Sequence, residues 1–333
     1  MAADQPKRGE GGESSLTVVL ALVVNLGIAV MKAVAGVITG SAALLAEAAH
    51  SVADTFTEGL LLTALRRSAR PADRRHPFGY GKERYFWSLM AAVSIFASGA
   101  VFAFVEGGRT LAGEGQEQVR PVVGYVVLAL AFAMELVSWT QAVRQTRREA
   151  RAENRSVLRY LRVSDDPTVK TVLLEDSAAL VGLVLAFAGL GLHDLTGSAV
   201  WDGIASLAIG VLLVVVAYTL GRTNKGLLIG RQADPRLVRE TYAWLARQPE
   251  VEAVVDLLTM VTGTDRVLLC ARLDFDDSLG VAALERTCVR LAGELRAEFA
   301  ELDEIFLEPV PRADPHLRAR VLARYGQITR RRT

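Results

Sequence analysis

His50 and Asp54 stand one helical turn apart in SAALLAEAAHSVADTFTEGLLLTAL, residues 41–65, with Glu47 and Glu58 on either side. On a helix turning about 100° per residue the four fall within an arc of roughly 80°, a polar stripe on an otherwise apolar rod. A carboxylate at the bilayer centre costs roughly 2.5–3.5 kcal/mol, whereas each Leu, Val or Phe returns only about 0.3–0.6. The stripe must therefore face protein or water, either as a buried polar network that holds a bundle together or as a cation site inside a membrane. Imidazole with carboxylate suits a divalent transition metal, and Zn²⁺ takes four N, O or S ligands. One helix face cannot surround an ion, so the remaining ligands must come from elsewhere. The acidic pair Glu175 and Asp176, in VLLEDSAALVGLVLAFAGLGL, is the obvious supplier. Adjacent residues point about 100° apart, so one of the pair meets His50 while the other orients it or takes a proton. Asp176 is the first choice as ligand, with Glu175 beside it. Glu47 and Glu58 fit an access path or a hydrogen-bond network equally well, and Glu135 and Asp202 read as structural or helix-terminus residues. Such ligands coordinate only when deprotonated, which makes protons and metal competitors and suggests their exchange.

The elements that must position these groups follow from the distribution of apolar residues. The chain has 333 residues, 51% of them hydrophobic, and a formal net charge of +1. The apolar residues gather before position 222 in blocks of about 20, each long enough to cross a hydrocarbon core of about 30 Å. Six spans are expected, near 16–38, 41–65, 85–105, 122–139, 171–192 and 200–220. The first carries Asn25 and Lys32, the latter as a structural counter-charge, with Gly27, Gly36 and Gly40 allowing close helix contact. Arginines crowd RRSARPADRRHPFGYGKER after the second span and the connection from Arg144 to Lys170 after the fourth, while the intervening loops are nearly free of Lys and Arg. This alternation places both termini on the cytoplasmic side of a multi-pass membrane protein, the plasma (inner) membrane in a bacterium. Residues 1–15 read as a disordered polar tail and 312–333 as a basic tail that is solvated or touches acidic membrane lipids.

Residues 231–311 change period. A helix over 235–247, with Leu237, Tyr242, Trp244 and Leu245 as core positions, precedes two strands around the turn Thr262–Asp265. Val267, Leu269, Ala271, Leu273 and Phe275 alternate onto one face of the second strand. Val281, Leu284, Cys288, Leu291, Leu295 and Phe299 give a further amphipathic helix, and EIFLEPV a last strand. The expected fold class is thus a six-helix membrane domain followed by a cytoplasmic α+β domain of order αββαβ. Cys270 and Cys288 are the only cysteines; they suggest core packing and no disulfide framework.

SAALLAEAAHSVADTF resembles the second-span signature of the cation diffusion facilitator family, in which a small residue, an acid and then H-x-x-x-D precede the cytoplasmic loop. RRHPFGYGKER is similar to the family's H-P-x-G loop, and the resemblance extends over about residues 16–311. It implies a homodimeric antiporter that exports Zn²⁺ or a similar divalent ion in exchange for protons. The metal would be held by His50, Asp54 and the fifth-span acid Asp176, and the αββαβ domain would be metallochaperone-like and help hold the dimer. The chain departs from the pattern at Val172, where the family usually has His four residues before the fifth-span Asp; Glu175 is an added acid. Arg84 also stands where an acid is common. Such an oxygen-rich set opens the reading to Mn²⁺, Fe²⁺ or Co²⁺. A second reading is a transport-impaired membrane binding or scaffolding protein of the same fold. No H-E-x-x-H motif occurs, so an intramembrane metalloenzyme is not expected, nor is a prosthetic group or a nucleic-acid partner.

Overall fold

The computed structural model describes residues 15–114 and 120–325, with side chains from Asn25 to residue 324. Most of the polar head expected over 1–15, and the end of the basic tail from 326, lie outside the described residues. The chain divides into two units, one holding residues up to Arg67 and Glu83–Lys225, the other Ser68–Lys82 and everything from Gly226 onward.

The first unit is helical. Among the described residues four helices are long and apolar enough to cross a membrane: α3 (Glu83–Glu114), α4 (Pro121–Ala152), α6 (Pro167–Thr196) and α7 (Val200–Ile229). Before them come α1 (Ser15–Thr39) and α2 (Ala42–Ser68), of 25 and 27 residues, and the short α5 (Val157–Val163) lies between α4 and α6. The lengths of α1 and α2 would suffice at about 1.5 Å per residue, but α2 carries the charged stripe. Large apolar side chains such as Val30, Val34 and Val37 on α1, Val122, Val126 and Leu130 on α4, and Val211 and Val215 on α7 point outward. Leu44, Ile95, Leu128, Leu183, Ile209 and Leu213 fill the interior of the bundle. Outward Val and Leu around an equally apolar core suits hydrocarbon, where lipid takes the place of water.

Local chemistry sets the helix ends. Gly40 adopts φ +70° and turns α1 into α2, a conformation that glycine reaches without strain. Pro167 opens α6 while the Asp166 carboxylate accepts from the Thr168 N–H, and Gly197 at φ 68° closes it. Ile95–Ala100 of α3 forms a wide π-helical turn. The basic connection expected after Trp139 is instead helical: α4 continues through Arg144, Arg147 and Arg148 to Ala152. Arg, Gln and Ala are strong helix formers and need no apolar solvent to stay helical.

In the second unit α8 (Pro235–Leu245) precedes β1 (Val251–Gly263), β2 (Arg266–Phe275), α9 (Val281–Glu298), β3 (Leu302–Pro309) and α10 (Pro315–Tyr325). The sheet order is β1-β2-β3, with β1 and β2 antiparallel and β3 parallel to β2 after the α9 crossover. The αββαβ order matches the sequence pattern. All five alternating residues of β2, Val267 to Phe275, are buried. Pro235 occupies the first helical position behind the capping Asp234. Two core assignments need correction. Tyr242 is exposed and Thr241 buried in its place, and Val281 at the start of α9 is exposed while Leu291 and Leu295 carry its buried face. Tyr242 lies on the flank of the narrow stripe that α8 buries, and Val281 keeps the register of the α9 stripe but is its first residue, where the helix end is exposed.

Candidate metal-transport site in the helical unit

The N-terminus of α2 is pinned from α7. Asp202 accepts from the Ser41 hydroxyl at 2.7 Å and from the Ala42 N–H, which satisfies backbone donors that a helix start leaves free. Asp202 is therefore a helix-terminus residue, in keeping with the sequence reading. From this anchor α2 carries Glu47, His50, Ser51, Asp54 and Glu58 into the bundle. Gly36 of α1 makes room for Leu45, a close approach of the kind expected between the first two spans, whereas Gly27 faces open space.

A cavity of about 80 Å³ opens between α1, α2, α4 and α6. That volume holds several waters, since one needs only about 10–15 Å³ by this measure. Its lining includes Asn25, Ser51, Asp54, Glu58, Glu135, Ser138, Val172, Glu175 and Asp176. Five carboxylates thus share one small space, and among the described residues no Lys, Arg or His stands on its wall. His50 lies just outside this lining, 1% exposed, with Nδ1 3.4 Å from Asp54 Oδ1 and neither ring nitrogen hydrogen-bonded. A buried polar group without a partner is costly, so an unpaired imidazole next to a carboxylate is poised for a ligand.

The two acids of α6 differ in their surroundings. Glu175 is buried and its Oε1 has no hydrogen-bond partner, whereas Asp176 accepts from Ser138 Oγ at 2.9 Å. Glu58 is held by the Asn25 amide and lines the cavity. Glu47 does not line it; its Oε2 pairs with Lys32 at 3.1 Å behind the wall. Lys32 is the counter-charge expected from the sequence.

Glu135, read from the sequence as a structural or helix-terminus residue, pairs with Lys32 (Oε1 4.0 Å from Nζ) and also lines the cavity from α4, which its sequence position did not reveal. A lone acid in an apolar stretch shows no face by its spacing, so only the packing reveals which way it points. The other contribution missed comes from α3. A Cβ on Gly99 would meet Leu213 at 2.9 Å and lie 4.0 Å from the His50 Cα and the Ala53 Cβ, so a glycine in the π-helical turn brings α3 against the site helix. Among the described residues no group of three or more His, Cys, Asp or Glu side chains converges closely enough to grip an ion. The arrangement is a carboxylate-lined cavity with room for water beside an imidazole that makes no hydrogen bond. Chemically it can attract a cation, bind protons, and close on either.

The family model for the cation efflux transmembrane domain matches residues 18–229. The chain belongs to the cation diffusion facilitator family. This member is a multi-pass membrane protein of a transporter family and no enzyme. It is 34% identical over 259 residues to the human mitochondrial proton-coupled zinc antiporter SLC30A9, an alignment that takes in 78% of this chain and 45% of the human protein. It is 31% identical over 290 residues to metal tolerance protein C4 of Arabidopsis thaliana, covering 87% of this chain and 61% of that one. Over 304 residues it is 23% identical to the manganese efflux system protein MneP of Bacillus subtilis, covering 88% and 94%. This facilitator therefore spans less than half the length of the human relative.

Proposed function

We propose that the protein is a secondary transporter that exports a divalent metal cation, Zn²⁺ first, from the cytoplasm in exchange for protons. The observation that carries this reading is the cavity lined by Asp54, Glu58, Glu135, Glu175 and Asp176 with the unpaired His50 at its edge. Ionised carboxylates crowded within a membrane domain are stable only when a cation or protons neutralise them. Cargo and protons therefore compete for the same oxygens, and each expels the other. In this reading His50, Asp54 and Glu175 grip the cargo when the side chains close. Glu175, whose Oε1 has no hydrogen-bond partner, takes the place given to Asp176 from the sequence. Asp176 is the adjoining acid held by Ser138, and Glu58 flanks the path while Glu47 stays behind the wall. α1 and α2 join the four apolar helices to make six spans, with both termini in the cytoplasm, and alternating access moves helices around the midplane site. Two copies form a homodimer.

The relatives' names support both a zinc and a manganese cargo. The oxygen-rich lining, with Val172 where a nitrogen ligand would stand, favours Mn²⁺ as the second reading, because carboxylate and water suit that ion. The test is pH-driven uptake of Zn²⁺ and of Mn²⁺ into vesicles containing the purified protein. His50→Ala and Asp54→Ala should each abolish flux, and Glu175→Ala should cost more than Asp176→Ala. Undiminished flux in both α2 variants would overturn the site assignment, whereas a parent protein that neither binds nor moves metal would favour the scaffolding reading.

A further inference from the structure

Lys32 has more partners than a structural counter-charge needs. It is fully buried on α1, with Nζ 2.8 Å from Ser51 Oγ, 3.1 Å from Glu47 Oε2 and 4.0 Å from Glu135 Oε1. The two carboxylates differ in position. Glu47 is wholly buried behind the cavity wall, in space that exists because residue 182 is glycine: a Cβ there would lie 2.0 Å from Glu47 Oε1. Glu135 is on the wall itself, its side chain 15% exposed, among four other cavity carboxylates. A buried ammonium is costly without an opposite charge, and this one keeps a partner whichever carboxylate is otherwise engaged. Among the described residues the cavity wall holds no cation of its own, and Lys32 is a positive charge that reaches Glu135 from behind.

We propose that Lys32 is a built-in counter-cation that shares Glu135 with the transported ion. It neutralises Glu135 when the cargo is elsewhere and falls back onto Glu47 and Ser51 when the cargo takes Glu135. This inference rests on the divalent-cation reading above and assigns Lys32 and Glu135 a role in cargo release. By competing for one carboxylate Lys32 weakens cargo binding, and by replacing the departing ion it speeds departure. A cavity of five carboxylates would otherwise hold a divalent ion too tightly to turn over.

The test uses the full chain with Zn²⁺ and Mn²⁺ as probes, measuring binding by calorimetry in detergent and flux in vesicles. Lys32→Met combined with Glu47→Gln removes the ion pair while leaving neutral side chains of similar size, a change that buried pairs often tolerate. The expected result is a dissociation constant roughly tenfold tighter together with a maximal flux roughly tenfold lower. A merely structural lysine would weaken binding or leave it unchanged. In a Glu135→Gln background the same pair of substitutions should no longer alter affinity, which closes a double-mutant cycle on the shared carboxylate. Unchanged or weaker affinity in the Lys32→Met/Glu47→Gln protein, or an equal gain with and without Glu135, overturns the inference. A parent protein that binds and moves neither ion overturns the transport reading, and this inference with it.

Discussion

Gly182→Ala tests the buried charge network behind the cavity with a single methyl group. The added Cβ would sit 2.0 Å from Glu47 Oε1 and 3.1 Å from its Cδ. Glu47 and Lys32 are both fully buried, so the carboxylate has no solvent to retreat into. Its only escape is a rotation that pulls Oε2 from its 3.1 Å contact with Lys32. Overpacking alone costs about 1–3 kcal/mol, and breaking a buried pair about 3–5 kcal/mol. Partial relaxation should bring the total near 3 kcal/mol, which corresponds to a fall in unfolding temperature of roughly 6–12 °C for a cooperative unit of about 200 residues such as the helical one. Thermal unfolding in detergent, followed by intrinsic fluorescence, reads this directly. Gly59→Ala on α2 is the control, because a Cβ there meets nothing within 4 Å and alanine is the better helix former by about 1 kcal/mol. Shortening the acid in Gly182→Ala/Glu47→Asp should recover part of the loss. If Gly182→Ala melts with the parent, the network is not packed as described and the argument for Lys32 loses its frame.

Three further outcomes are expected. Asp202→Ala should lower stability by about 1–2 kcal/mol, as for a lost helix cap, because Ser41 and Ala42 lose their acceptor; Asp202→Asn, which keeps an oxygen, should recover part of the unfolding temperature. Gly81→Ala would put a Cβ 2.4 Å from the Thr262 carbonyl and 2.9 Å from the Gly263 Cα, which forces residues 68–82 off the β1–β2 turn and should speed tryptic cleavage at Arg74 and Arg75, with Gly280→Ala, facing open space, as the unaffected comparison. Burial pushes the Cys270 and Cys288 thiols up from their ordinary range; both stay protonated at pH 7, so alkylation should be slower than for a free cysteine and accelerate only above the ordinary thiol range.

The sequence made some features legible and concealed others for physical reasons. The stripe on α2 and the alternation in β2 could be read because both depend on local period, and local period fixes which residues share a face. The αββαβ order followed from the change in period after Arg231. Glu135 could not be placed, since a single acid in an apolar helix shows its direction only through packing against α1 and α6. The Lys32–Glu47 pair links two helices, and neither partner's spacing points to the other. The wide turn at Ile95–Ala100 has no proline to announce it. The helical extension of α4 through its arginines was hidden for the opposite reason: charge marks the end of an apolar block but says nothing against helix.

The most direct measurement of the central claim records cation and proton movement in the same vesicles. Purified protein is reconstituted with a pH-sensitive dye inside, Zn²⁺ or Mn²⁺ is added outside without a pH gradient, and lumenal pH is followed alongside metal uptake. The account predicts that metal entry raises lumenal pH as protons leave, and that both signals vanish together in Asp54→Ala. Metal uptake with no pH change, or a proton signal that persists in Asp54→Ala, would contradict it.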